Sequence, residues 1–247
     1  MTEAEFLKAY KISDYDVPLT TVDIVIFAVH EEEVQVLLVE RPEHPERGKL
    51  ALPGGFVKLG HDASIESTAF RKLMEKTGVK SPYLEQVTTI GNATRDPRGW
   101  SLTVLYFALI NYVELHNGPN IGSEPVRWAP LSEALKMKLA FDHKNLLATA
   151  VNRLRSKTRY SALPLQLMPE EFTLSELQHM FEIVLGAKLE KKSFRRRFLA
   201  SGLLEDTEKM KSTGHRPASI YRRIEGGGGD FVFPGLLDTK PKLLDTK

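Results

Sequence analysis

Residues 52–79 read LPGGFVKLGHDASIESTAFRKLMEKTGV. Pro53, Gly54 and Gly55 interrupt an apolar run, so a strand there is broken by a turn. The stretch from about Ser64 to Thr77 predicts a helix, and Gly78 stops it. Within that helix Lys72, Glu75 and Lys76 are spaced i, i+3 and i+4, which places them on one face. A strand, a glycine turn and a helix with a mixed cationic and acidic face form the frame to which the neighbouring segments attach.

Upstream, Val22–Val29 and Val34–Val39 are β-branched apolar runs separated by His30–Glu33, the pattern of a hairpin. Downstream, residues 84–110 predict two strands around a polar loop at Asn92–Gly99. Residues 124–137 (EPVRWAPLSEALKM) predict a strand and then a helix, and His143–Ser156 a further helix. Mixed strands with two helices imply an α/β sandwich. Residues 157–172, with two prolines and no clear period, are expected to form a connector. The C-terminal part then reads helix, helix, strand, loop, strand. The last stretch, 225–247, repeats LLDTK and is expected to be a peripheral tail.

The 247 residues suffice for two domains and include no cysteine, which excludes disulfides, thiolate metal sites and a cysteine nucleophile. No basic start followed by an apolar core opens the chain, and no apolar run reaches membrane-spanning length, so a cytoplasmic protein with no membrane association is expected. The net charge of +2 conceals an asymmetry: residues 1–150 carry −4 and residues 151–224 carry +7. Oppositely charged halves suggest different partners for each.

The opening stretch resembles the Nudix box: Gly, five residues, Glu, seven residues, then Arg-Glu-apolar-any-Glu-Glu-any-Gly-apolar. Gly55 holds the glycine place and His61 the first glutamate place. Two extra residues precede Arg71, the acidic places that follow fall on Lys72, Glu75 and Lys76, and Gly78 and Val79 complete the match. Three carboxylates on that face could hold Mg²⁺, which takes oxygen ligands, neutralises phosphate charge and activates water. Lysine has no acceptor atom, and the two lysines make the site four charge units more positive. Three readings are open: Glu66 or Glu75 rescues a weak hydrolase, the helix is only scaffold, or catalysis is gone and the lysines offset phosphate charge without metal. The third is favoured by the other cations available. Thr94–Trp100 (TRDPRGW) places Arg95, Asp96 and Arg98 in the loop beside the helix, and arginine suits bidentate phosphate contact. Arg41, ending the second strand, and Lys49, before the Pro-Gly-Gly turn, could face the same cleft. The expected ligand-binding set is therefore Arg41, Lys49, Lys72, Glu75, Lys76, Arg95, Asp96 and Arg98, with no catalytic residue and no metal.

The basic half carries the second signal. Thr173 and Glu176 fit a capping box, and Leu174, Leu177, Phe181 and Val184 give one apolar face. A second helix, starting near Glu190 and ending before Gly202, has Phe194 and Phe198 at i and i+4. Lys191, Lys192, Ser193, Arg195, Arg196 and Arg197 fill much of the rest. Two short strands around a polar loop follow, giving the order of a winged helix-turn-helix with 190–201 as recognition helix and 205–218 as wing. A basic helix in the major groove neutralises phosphates and brings arginines to guanine edges. His215, Arg216 and Arg222 belong to the expected DNA surface, Arg216 as a minor-groove contact. The competing reading is a solvated basic helix or one that binds an acidic protein.

Taken together, residues 15–224 resemble the Nudix-related transcriptional regulators of NAD metabolism. The motifs that carry the resemblance are LALPGGFV, DPRGW, LAFDH at 139–143, PEEFTLSEL, FRRRFLASGLL and GHRPASIY, in that order. The resemblance implies an α/β/α Nudix-type sandwich with a C-terminal winged helix-turn-helix domain. The sequence pattern divides the chain into an effector domain at 1–156, a linker at 157–172, a DNA-binding domain at 173–224 and the tail. The resemblance also implies a homodimeric repressor of NAD biosynthesis or salvage genes on palindromic double-stranded DNA, with no required cofactor and with ADP-ribose as the effector that releases DNA. His61, Lys72 and Lys76 depart from the hydrolytic pattern, so the chain is expected not to be an enzyme. The alternative is an active Nudix ADP-ribose pyrophosphatase with an accessory domain.

Overall fold

The structure, a computed structural model, describes residues 1–78, 83–112, 126–212 and 217–224. In chain order its elements are α1 (Glu3–Ala9), β1 (Leu19–His30), β2 (Glu33–Glu40), β3 (Leu50–Ala51), β4 (Gly54–Phe56), α2 (Ile65–Thr77), β5 (Tyr83–Asn92), β6 (Ser101–Leu109), β7 (Val126–Pro130), α3 (Leu131–Ala134) and α4 (His143–Thr158). There follow β8 (Glu171–Thr173), α5 (Leu174–Leu185), α6 (Lys191–Leu199), β9 (Leu204–Lys211) and β10 (Ala218–Arg223).

β1 and β6 run parallel, in register from Leu19 opposite Ser101 to Phe27 opposite Leu109, and form the middle of a seven-stranded mixed sheet. The order is β3-β2-β1-β6-β5, with β4 on β1 and β7 on β2. The centre of β1 is buried on both faces, as its unbroken apolar run requires. Its side chains alternate: Ile24 and Ile26 pack under α2 with Ala69 and Leu73, while Val25 and Phe27 pack under α4 with Leu146, Leu147 and Leu154. One sheet between two helices is the expected three-layer sandwich.

The run expected as one interrupted strand is two. β3 pairs with β2 through Val39 and Ala51, and β4 pairs with β1 through Asp23 and Gly54. The Leu52-Pro53 step carries the chain from one partner to the other, which delivers Gly54 and Gly55 to the start of the segment that leads into α2.

The basic half closes a three-stranded sheet, β8-β10-β9, over α5 and α6. Thr173 and Glu176 form the capping box, and Phe181, Phe194 and Phe198 make a triangle of rings with centroids 4.6–5.3 Å apart. Burying such rings contributes roughly 1.5–3 kcal/mol each, enough to hold so small a unit around one core. Strand β8 had no counterpart in the sequence reading, because three residues are too few for a period.

The segment 157–172, expected as a connector, is structured at both ends and packed between. α4 runs through Thr158, and Leu163–Leu167 form a 3-10 turn with Pro164 in its first turn. Leu163 and Leu167 join the core under α4 together with Val184 of α5, while Ala162, Leu165 and Phe172 join the aromatic core of the basic half. The segment therefore wedges between two cores and belongs to both. The alternation 163, 165, 167 is hidden in sequence because a 3-10 turn has neither the helical nor the strand period. α1 was not expected; it is capped by Thr2 and buries none of its residues. No described helix is long and apolar enough to cross a membrane.

Candidate functional site

A cleft of about 260 Å³ opens where β4, the C-terminal half of α2, the β5–β6 loop and the start of α4 meet. Six of the eight expected ligand-binding residues line it: Arg41, Lys72, Lys76, Arg95, Asp96 and Arg98. Glycine is needed at two points of its wall. A Cβ on Gly54 would lie 2.2 Å from Asp23 Oδ1, and one on Gly55, whose φ is 152°, would lie 2.8 Å from Lys72 Cε. The Pro-Gly-Gly turn thus lets the backbone lie flush against a buried carboxylate on one side and the Lys72 stem on the other.

The β5–β6 loop is shaped by its own side chains. Asn92 Oδ1 accepts from the Thr94 and Arg95 amides at 2.8 Å each, and Asp96 Oδ1 accepts from the Arg98 amide at 2.9 Å. Asp96 also accepts from the Arg98 guanidinium, Nη2 to Oδ2 at 2.7 Å. That bond holds the Arg98 pKa above its ordinary value and the Asp96 pKa below. Arg98 lies over the Phe56 ring at 4.9 Å, and Arg41 over Phe141 at 4.6 Å. Burial, then the positive charge of Arg98, lowers the pKa of Arg41. Two guanidiniums on aromatic platforms therefore share one cleft, and each favours an anion that would relieve the other's charge.

Arg95 lines the cleft, but its guanidinium is committed to neighbouring carboxylates. Its side chain is 5% exposed and forks onto Asp142, with Nε and Nη2 each 3.1 Å from a carboxylate oxygen, and lies 3.6 Å from Asp23. It anchors the loop to the start of α4. Asp142 stands at the N-cap position of α4, yet its carboxylate makes no cap bond and serves Arg95 instead. The next residue, His143, accepts from the Leu52 amide through Nδ1 at 2.9 Å and presents Nε2 to Asp23 at 3.8 Å.

Two expected residues are outside the cleft. Lys49 is paired with Glu46 at 2.9 Å on a neighbouring surface, drawn there by a carboxylate three residues away. Glu75 accepts from Arg71 at 3.0 Å and from Lys72 at 2.9 Å, so both its oxygens are engaged. Asp62 also grips Arg71, at 2.6 and 2.7 Å, and that bond holds its pKa far below the carboxylate range. These residues do not fit a divalent cation: two of the three box positions on α2 are ammoniums, and the one carboxylate is neutralised by neighbours. Among the described residues no group of three or more acidic or histidine side chains converges as a metal site. Asp23, Phe56, Phe141 and His143 were missed in sequence. Asp23 had left a signal, as the single charge in the apolar run Val22–Val29.

On the basic half, α6 begins at its N-cap Glu190, whose carboxylate accepts from the Lys192 and Ser193 amides at 2.8 and 2.6 Å. Phe194 and Phe198 face inward, and Lys191, Lys192 and Arg196 are exposed, with Ser193 and Arg197 half-buried. Arg195 is half-buried and donates to Ser175 Oγ on α5 at 2.9 Å. Arg222 forks onto Glu205 across the β9–β10 pair at 2.8 and 3.1 Å. His215 and Arg216 lie outside the described residues.

Residues 18–150 match the NUDIX domain, and residues 164–223 match the NrtR DNA-binding winged helix domain, which begins inside the connector. The ADPR responsive transcriptional repressor NtrR of Acinetobacter baylyi is 53% identical over 237 residues, covering 96% of this chain and 94% of its own length. The chain belongs to the NrtR family. Within the family, the Shewanella oneidensis NrtR structure complexed with a 27mer DNA has a TM-score of 0.80 at 43% identity, covering 89% of this chain and 99% of its own. The NUDIX domain of the same NrtR complexed with ADP ribose has a TM-score of 0.57 at 47% identity, covering 62% of this chain and 99% of its own. Both halves of this chain thus have an NrtR counterpart seen with a ligand.

Proposed function

We propose that the chain is a transcriptional repressor of NAD biosynthesis or salvage genes, acting in the cytoplasm as a homodimer on palindromic operator DNA. ADP-ribose entering the Nudix cleft is the effector that releases the DNA. The cleft binds this ligand without hydrolysing it. One observation carries the reading: Lys72 and Lys76 line the cleft at box positions that would be carboxylates in a metal-dependent hydrolase, in a chain that also carries a winged helix domain.

Arg41, Arg98, Lys72 and Lys76 meet the diphosphate, with the two arginines held on their aromatic platforms. Asp96 orients Arg98, and Arg95 locks the loop to Asp142. Because α4 starts at this lock and ends against the connector and α5, a change in the cleft reaches the DNA-binding half through one packed helix.

Calorimetry of ADP-ribose in EDTA, with and without saturating operator duplex, tests the proposal. Binding persists without metal, and operator weakens it by the factor by which ADP-ribose weakens operator binding, on the order of 1–3 kcal/mol of coupling. Equal affinities with and without DNA would remove the effector mechanism. AMP release in Mg²⁺ at roughly 1–10³ s⁻¹ would make the protein a pyrophosphatase instead.

A further inference from the structure

Lys209 and Lys211 lie on β9, the strand leading into the wing, and neither stands open to solvent alone. Lys209 Nζ donates to Glu171 Oε1 at 2.5 Å, and Lys211 Nζ donates to Glu176 Oε1 at 2.6 Å. Glu171 lies on β8 and Glu176 in the first turn of α5. Next to Glu176 is Ser175, which accepts from Arg195 of α6. The two ion pairs, the start of α5 and the basic helix therefore form one continuous surface. All four side chains of the pairs are 40–62% exposed, so a phosphate oxygen can reach either ammonium.

We propose that Glu171 and Glu176 are intramolecular stand-ins for DNA phosphates, making strand β9 a self-masked phosphate-binding surface. The proposal rests on reading the basic half as a DNA reader. In the free protein the two carboxylates occupy Lys209 and Lys211. On DNA, backbone phosphates take their place. Exposed ion pairs of this kind add little to stability, so the exchange of partners costs little. The displaced carboxylates nevertheless remain beside the phosphates and repel them. The mask weakens every duplex alike and leaves sequence discrimination to the base-facing side chains of α6.

The test is the full-length Glu171→Gln/Glu176→Gln variant, with fluorescence anisotropy on operator and scrambled duplexes between about 50 and 200 mM salt. Glutamine at 176 keeps the capping box. With no ion pair to break and no carboxylate left beside the phosphates, both duplexes bind more tightly, by roughly 2- to 25-fold for the two sites at low salt, and the gain shrinks as salt screens the charges. Lys209→Ala and Lys211→Ala in the same background abolish the gain. If the double variant folds poorly, Glu171→Gln alone carries one site's share of the gain, roughly 1.5- to 5-fold. Unchanged affinity and slope, in a protein whose wild type binds operator, overturns the mask. So does a gain that survives removal of the lysines. A wild type that binds neither duplex at any salt overturns the DNA-reader reading, and the mask with it.

Discussion

Three consecutive arginines, Arg195, Arg196 and Arg197, invite the assumption that they act together, and the geometry of α6 predicts that they do not. Each residue advances about 100° around a helix. Phe194 and Phe198 are two residues before and after Arg196, so each is about 200° from it and the buried direction is opposite Arg196. Lys192 is about 40° from the same outward line. Arg195 is turned about 100° aside, half-buried, and bonded to Ser175 at 2.9 Å. Arg196→Ala should therefore cost about 1–3 kcal/mol of operator binding, roughly 5- to 150-fold, and relax specificity at one base pair. Its folding stability should stay within about 0.5 kcal/mol of wild type. Arg195→Ala should do the reverse: about 1 kcal/mol of stability lost with the Ser175 bond, and a smaller loss of affinity that is equal on all sequences. Anisotropy titrations on operator and single-substitution duplexes, with urea melts of each variant, measure both quantities. Equal affinity losses for the two variants with unchanged specificity would refute the outward direction assigned to Arg196.

Asp62 has a depressed pKa because Arg71 holds it, so its stabilisation is present above the unfolded carboxylate value near about 4 and is lost as pH falls below it. Asp62→Asn should lower the melting temperature at neutral pH, with the gap to wild type narrowing below about pH 4; a pH-independent gap would discount the Arg71 pair. Asp142→Asn should loosen Arg95 and weaken ADP-ribose by about 1.5 kcal/mol, about tenfold, in calorimetry. Unchanged affinity would mean the loop holds its shape without that bond. Gly55→Ala should push Lys72 aside and strain a φ of 152°, lowering effector affinity while operator affinity without effector stays at wild-type level. Loss of both would show that the turn supports the whole fold.

The amino-acid sequence by itself determined the elements whose instructions lie within a dozen residues. The Ser64 start and Gly78 stop delimit α2, Thr173 and Glu176 cap α5, and Phe194 with Phe198 orient α6, because helical periods and caps are local. The replacement of box carboxylates by Lys72 and Lys76 was equally plain, since residue type at a fixed helical spacing needs no tertiary information. What only the tertiary structure decided is which partner each charge takes. Arg95 was legible as a cation in a loop, but its commitment to Asp142, 47 residues on, follows from how the β5–β6 loop and the start of α4 converge. Arg222 meets Glu205 through strand register. The connector looked unpatterned until its leucines divided between two cores. Long-range pairing has no period to read in one chain, because a side chain's neighbours there are set by packing and register and not by spacing along the sequence.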